Sequence, residues 1–406
     1  MSYDIDAVRA DFPALESGSA HCDGPGGTQT PRQVIDAIAS ALGGPLSNRG
    51  TTTLGEQRAE QTVAQARAAI ADLVGGDAGD VVFGRSATQL CYDFSRWISR
   101  DWVPGDEVVV TRLDHDSNIR PWVQAADRVG ATVRWLDFDP ETSLLDDVSS
   151  VLSDRTKLVA VTAASNLIGT KPPVADIASA AHAVGALVYV DGVHNTAHSR
   201  VGIQTMGADF YSCSPYKFLG PHLGALVADG ALLATLVPDK LLPSTNEVPE
   251  RFEFGTLPYE MLAGVAAAVD YLSTIGGSSN TGSTLAGASR PALLDDAFAR
   301  LEEHEDALLA ELEAGLAAMP AVSVHSRADH RTPTLLITLD GRDTEDAYQF
   351  LAARGVDAPS SNFYALEASR RLGLGDHGGL RVGLAPYTNA DDIHRLLNGL
   401  TDFLAA

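Results

Sequence analysis

Cysteine is scarce in this chain: Cys22, Cys91 and Cys213 are the only three in 406 residues, far apart and without CxxC spacing. That excludes a disulfide framework and a zinc knuckle, leaves no metal site to expect, and fits a reducing compartment. Positive charge is also in short supply. Lys and Arg number 29 against 53 Asp and Glu, a formal net charge of −24, so the surface repels nucleic acid and anionic membranes. An acidic bias of the host's proteins accounts for this more simply than any function. No apolar run is long enough to span a bilayer, and the opening MSYDIDAVRADFP is polar and acidic rather than the basic start of an export signal. The expected location is the cytoplasm.

What the chain does have is length and short apolar runs. Hydrophobic residues make up 45% of it, enough for a large core and more than one domain. Between 81 and 217, runs of strand character (81–83, 107–110, 132–135, 158–162, 186–190, 208–211) alternate with helical stretches (from 87, 123–129, 174–184). That alternation predicts an α/β fold with a mostly parallel, doubly wound sheet. Upstream, a short acidic helix precedes HCDGPGGTQTP, Thr30 and Pro31 open a helix through 42, and an Ala-rich helix covers 55–74. Downstream, a helical, acid-laden run at 293–318 leads to strands at 334–339 and 380–384. These bracket a helix at 345–354, and a last helix at 390–404 follows Thr388 as its cap. This second part is a smaller C-terminal α+β domain. The expected organisation is an N-terminal segment 1–29, a large domain 30–290 and a small domain 291–406. The Gly/Ser-rich stretch 276–291 reads as a mobile surface loop.

The centre of the pattern is ALVYVDGVHNTAHSRVGIQTMGADFYSCSPYKFLGPHL. One buried run ends at Asp191 with His194 close behind, and the next ends at Ser214 with Lys217 close behind. Ligands of open α/β sheets collect at the carboxyl edge of the strands. An acid and a lysine presented there together suit pyridoxal 5′-phosphate (PLP). The amine forms a Schiff base with the aldehyde, and the carboxylate keeps the pyridine nitrogen protonated. Taken singly, the acid reads as well as a turn residue and the lysine as a solvated flank.

The wording VDGVH … ADFYSCSPYKFLGPHLGAL resembles the lysine segment of the class V aminotransferase and cysteine desulfurase family, PLP-dependent enzymes of fold type I. The likeness extends from HCDGPGGT to APYTNADDI and is nearest to the cysteine desulfurase-like branch. It implies that the Asp23–Thr28 segment lies over the active site. Ser86, Ala87 and Thr88, at a strand-to-helix turn that also reads as an ordinary N-cap, would cradle the phosphate with Ser214. His115 would stack over the ring and shuttle protons. Asn166 would contact the substrate carboxylate or the phenolic oxygen, and His194 would hydrogen-bond that oxygen. Tyr216 would touch phosphate or substrate. The matching threonine, Thr256, donates in the family to a neighbouring subunit's phosphate, which implies a homodimer with shared sites.

Arg381, in GGLRVGLAPYTN, is the residue for an amino-acid carboxylate, because its guanidinium fork matches two oxygens at once. The glycines at 373, 375 and 378 match GxGxxG, but they follow a helix and precede a strand, the wrong context for a dinucleotide. One departure from the family matters most. The loop before Arg381, where a desulfurase carries its persulfide-forming cysteine, reads DAPSSNFYALEASRRLGLGDHGGL and contains none. Asn362, Phe363 and Tyr364 stand there instead as substrate contacts. The expectation is therefore a PLP-dependent C–S lyase acting by β-elimination on cysteine or an S-substituted cysteine, without an enzyme persulfide. Lys217, His115 and Asp191 would be its catalytic residues. An aminotransferase or decarboxylative deaminating enzyme is the alternative. A cysteine desulfurase and a non-catalytic PLP-binding relative are further ones.

Overall fold

A computed structural model describes residues 3–277 and 287–406; most of the expected loop at 276–291 lies outside the described residues. The strands expected between 81 and 217 all form, and with one more they make a seven-stranded sheet. In spatial order these are Val81–Gly84, Gly224–Ala228, Phe210–Cys213, Leu187–Asp191, Thr156–Thr162, Glu107–Thr111 and Thr132–Leu136. The added strand, Gly224–Ala228, runs antiparallel to both its neighbours, and every other pairing is parallel.

Alternation along each strand builds two cores. Val109, Val159, Val161, Val188 and Val190 face one, against Val63, Ala66 and Ile70 of helix Leu54–Val74. Val108, Val110, Leu158, Ala160 and Tyr189 face the other, against Phe94, Trp97 and Trp122. Successive side chains of a strand point to opposite faces, so runs buried on both sides read as continuous apolar stretches. The sheet is doubly wound, as its sequence predicts.

The smaller sheet pairs Ser360–Ser361, Gly379–Gly383, Thr334–Leu339 and Val322–Val324, all antiparallel. Its core takes in helices Thr344–Ala352 and Ala390–Ala405, together with Ala20 and Cys22 of the N-terminal segment. Ala20 and His21 pair in parallel with Val356 and Asp357, which ties that segment to this unit. The long helix Arg290–Ala317 serves both units. Leu294 and Leu301 pack in the large core, and Leu308 to Leu316 in the small one. Among the described residues no helix is long and apolar enough to cross a membrane.

Three local expectations are corrected. Thr30 does not cap helix Arg32–Gly43; the Asp11 carbonyl accepts the Arg32 N–H at 2.8 Å, doing from outside what a cap would do. The last helix is capped by Asn389, in a reciprocal box with Asp392, because Thr388 is engaged in the preceding turn with the Ala385 N–H at 2.9 Å. Gly255 and Thr256 precede rather than start a helix, which begins at Tyr259 after Pro258.

Candidate active site

The carboxyl ends of the parallel strands open on one cavity of about 680 Å³. Asp191 ends its strand, registered between Thr162 and Ser212. The Val193 N–H donates to its Oδ1 at 2.9 Å, and Oδ2 has no hydrogen-bond partner among the described residues. Burial pushes this carboxyl up to about 6, against the pull of the Val193 N–H and the Lys217 ammonium. The next residue has to be glycine, since a Cβ at Gly192 would lie 1.9 Å from Tyr211 Cζ.

Ser214 and Lys217 follow strand Phe210–Cys213 in a single 3₁₀ turn, Pro215–Lys217. Lys217 Nζ donates to the Pro25 carbonyl and lies 4.6 Å from the centre of the Tyr216 ring. Burial brings the ammonium down to about 7, Arg381 pushes the same way, and Asp23 and Asp191 oppose. A lysine with so low a value exists in large part as the neutral, nucleophilic amine near neutrality, where an ordinary lysine is almost all ammonium.

Helix Ala87–Ile98 begins at the cavity wall. Ser86 is its N-cap, with Oγ accepting the Gln89 N–H at 3.1 Å. The N–H groups of Ala87 and Thr88 have no partner among the described residues, and both residues line the cavity. The capping oxygen and the free N–H groups are different atoms, so one role does not preclude the other.

His115 follows strand Glu107–Thr111. The Ser117 N–H donates to its Nδ1 at 3.0 Å, so a neutral ring carries its proton on Nε2. Burial, then Lys217 and Arg381, bring the imidazole down to about 4, and it is neutral at pH 7. Behind it, the Thr111 hydroxyl and Asn118 Nδ2 (2.7 Å) hold the buried Asp114, which burial pushes up to about 8. Asn118 Oδ1 accepts from Trp122 Nε1 at 3.2 Å, so that buried indole also fixes this turn.

Arg381, 2% exposed, donates from Nη1 to the Asn166 carbonyl at 3.1 Å and from Nη2 to Asp23 Oδ1 at 2.6 Å. The Phe363 ring covers its guanidinium at 3.7 Å. Phe363 and Tyr364 have φ of 53° and 58°, left-handed conformations that cost energy in non-glycine residues and concentrate at functional loops. Tyr364 is tilted over His115 at 5.6 Å.

Two expected residues are not brought to this cavity. Asn362 turns away, donating from Nδ2 to the Asp376 carbonyl at 2.8 Å and accepting the Tyr364 N–H at 2.9 Å. Thr256 is exposed and bonds Asn48 Oδ1 at 3.3 Å. His194 lines the cavity, but its Nε2 lies 2.9 Å from Thr332 Oγ1 and 3.0 Å from Thr334 Oγ1, so that nitrogen is already engaged by the small sheet. Asp23, from the segment expected over the site, also lines it, as does a pair the sequence did not single out, Asp116–Arg120 at 2.9 Å. The four-residue spacing of that pair was visible in the sequence; the proximity of Asp23 to Arg381 was not.

The donor set fits PLP. Among the described residues Asp191 Oδ2 is free for a pyridinium, Ala87 and Thr88 offer N–H groups to a phosphate, and Lys217, an amine whose pKa is lowered, lines the same cavity. Asn166 Oδ1 and Arg381 Nε are buried and have no partner among the described residues, as polar atoms awaiting a polar ligand do.

Comparison with known proteins agrees. The family model for class-V aminotransferases matches residues 20–286 and 292–396. A cysteine desulfurase of Klebsiella pneumoniae subsp. pneumoniae is 29% identical, over 98% of this chain and 98% of its own. The crystal structure of the cysteine desulfurase CsdA from Escherichia coli superimposes with a TM-score of 0.85 at 24% identity, covering 100% of this chain and 99% of that one. A C-DES mutant with glycine covalently linked to its PLP cofactor gives 0.77 at 21%, covering 97% and 99%. At such identities the two structures speak for the fold.

Proposed function

We propose, from the premise that this chain belongs to the class-V aminotransferase family, that it cleaves the C–S bond of cysteine or an S-substituted cysteine by β-elimination, with no persulfide on the enzyme. Family membership makes it a PLP-dependent, cysteine desulfurase-like enzyme acting on an amino acid. The finer reading is carried by where the thiols are. Cys22, Cys91 and Cys213 are all buried, and none lines the cavity. Burial pushes each thiol up, Cys213 to about 12, so a reactive thiolate is suppressed at every one. The loop facing Arg381 offers Ser361, Phe363 and Tyr364, and a serine hydroxyl is a poor nucleophile towards sulfur.

PLP, when bound, draws electrons from the substrate's Cα and so weakens the bonds around it. The chain's own residues supply the rest. Lys217 anchors the cofactor and then, as a neutral amine, takes the proton from Cα. Asp191 holds the ring nitrogen's proton. The His115 Nε2–H is offered to the departing sulfur, while Arg381 and Asn166 orient the α-carboxylate and Phe363 and Tyr364 cover the S-substituent. The Cβ–S bond breaks, the sulfur leaves as a thiol, and water converts the remaining carbon skeleton to pyruvate and ammonia.

In this reading, segment 1–29 closes the site, 30–290 holds the cofactor and 291–406 contributes Arg381. The active form is a homodimer in which Thr256 reaches the partner's phosphate site. The exposed Leu46 and Phe254, on the same loops as Asn48 and Thr256, and Leu54, which opens the next helix, support a second copy docking there. A cysteine desulfurase is the rival reading, after the names of the relatives. The test replaces all three cysteines by Ala or Ser and follows single-turnover release of sulfide and pyruvate. Near-parental turnover is expected, with some stability lost where a thiol had packed. A protein-bound persulfide found by mass spectrometry in the parent, with turnover abolished in the cysteine-free protein, would sink the lyase reading. Amino transfer dependent on a keto acid would instead make it an aminotransferase.

A further inference from the structure

The Arg381 fork already holds a carboxylate from its own chain. Asp23 Oδ1 sits 2.6 Å from Nη2, Nη1 is spent on the Asn166 carbonyl at 3.1 Å, and Nε is buried without a partner among the described residues. The next residues of the same loop reach the other substrate-handling group, since the Pro25 carbonyl accepts from Lys217 Nζ. One loop thus covers both cations with oxygens, as an amino acid in the cavity would.

The backbone beneath Asp23 has no slack. The Gly383 N–H donates to the Cys22 carbonyl at 2.8 Å. A Cβ at Gly24 would lie 2.1 Å from the Leu384 carbonyl oxygen, and one at Gly383 would lie 2.1 Å from Pro25 Cδ. The carboxylate itself is freer. Its side chain is 29% exposed, and its Oδ2 lies over Gly26, where a Cβ would come within 1.9 Å of it. The loop therefore stays while the carboxylate can swing.

We propose that Asp23 is a specificity-determining residue: it occupies the Arg381 fork in the empty site as a stand-in for the substrate's α-carboxylate and must be displaced by it. This rests on the reading that Arg381 binds that carboxylate. A buried guanidinium left unpaired is costly, so the internal partner stabilises the empty site. Two carboxylates sharing one guanidinium repel, so an incoming substrate meets a fork that is already neutralised. An amine without a carboxylate cannot dislodge Asp23, which keeps its place on the fork.

The experiment titrates PLP-loaded protein with L-alanine, which has the carboxylate but no leaving group, and with ethylamine, its carboxyl-free counterpart, following the cofactor's absorbance. Asp23→Asn should tighten L-alanine on the order of tenfold, the scale of one charge-assisted hydrogen bond, and leave ethylamine within about twofold. Asp23→Ser, which cannot keep the amide contact, should do the same. In an Arg381→Gln background neither change should matter. If Asp23→Asn and Asp23→Ser weaken L-alanine or leave it unchanged while Arg381→Gln weakens it, Asp23 only positions the arginine and the proposal falls, with the carboxylate reading intact. If Arg381→Gln binds L-alanine as tightly as the parent, the carboxylate reading itself fails and takes the proposal with it.

Discussion

Gly224 opens the antiparallel strand Gly224–Ala228, paired with Gly84, and its Cα presses on the first turn of helix Ala87–Ile98. A Cβ built there would lie 2.3 Å from Ser86 C, 2.4 Å from Ala87 N and 2.7 Å from Ser86 O. All three are backbone atoms, so no rotamer change relieves the contact. Restoring ordinary separation moves the helix N-terminus by about 1 Å, and overpacking of this kind costs roughly 1–3 kcal/mol in stability. The functional loss should exceed the structural one. In the proposed site the N–H groups of Ala87 and Thr88 would hold the phosphate, and a shift of about 1 Å takes a hydrogen bond out of range. With one or two charge-assisted bonds at about 1.5–3 kcal/mol each at stake, PLP affinity of Gly224→Ala should fall at least tenfold. The assay is a spectrophotometric PLP titration beside thermal melts of the apo and loaded protein. The control is Gly43→Ala, at the end of a helix with nothing within 4 Å of the added methyl; it should leave PLP binding alone. Gly224→Ala binding PLP within twofold of the parent, with an unchanged melt, would refute the argument that this glycine spaces the phosphate cradle.

Two further outcomes are expected. In the apo protein the rate of covalent PLP capture should rise with pH through about 7, since the amine reacts only when neutral and burial, helped by Arg381, has lowered Lys217 to that value. Arg381→Gln should move the inflection upwards, and an inflection that stays near 10.5 in the parent would contradict the burial account. Thr256→Ala should loosen PLP while leaving the dimer intact by sedimentation; a parent protein that is monomeric and still holds PLP tightly rules out the shared site.

The sheet and the bulk of the site are legible in the amino-acid order alone. A strand buried on both faces writes itself as a short apolar run, and the residues just past its carboxyl end are its neighbours in the chain. Asp191, Ser214, Lys217, Ser86 and His115 could therefore be placed without coordinates. The caps were less legible, because the Asp11 carbonyl supplies from outside what Thr30 offered, and the 385–388 turn takes up Thr388 and leaves the last helix to Asn389. So was the direction of Gly224–Ala228, which its own residues do not encode. The remaining features were set by packing, since they depend on contacts distant in the chain and on burial. Asp23 and Arg381 are separated by 358 residues and meet because Cys22 and Gly383 lock the N-terminal segment onto the small sheet. The lowered values of Lys217 and His115 come first from exclusion of water, a property of the packed cavity rather than of either residue's neighbours in sequence. The turning away of Asn362 follows from the Asp376 carbonyl, and the burial of Cys22 from the small core into which the N-terminal segment folds.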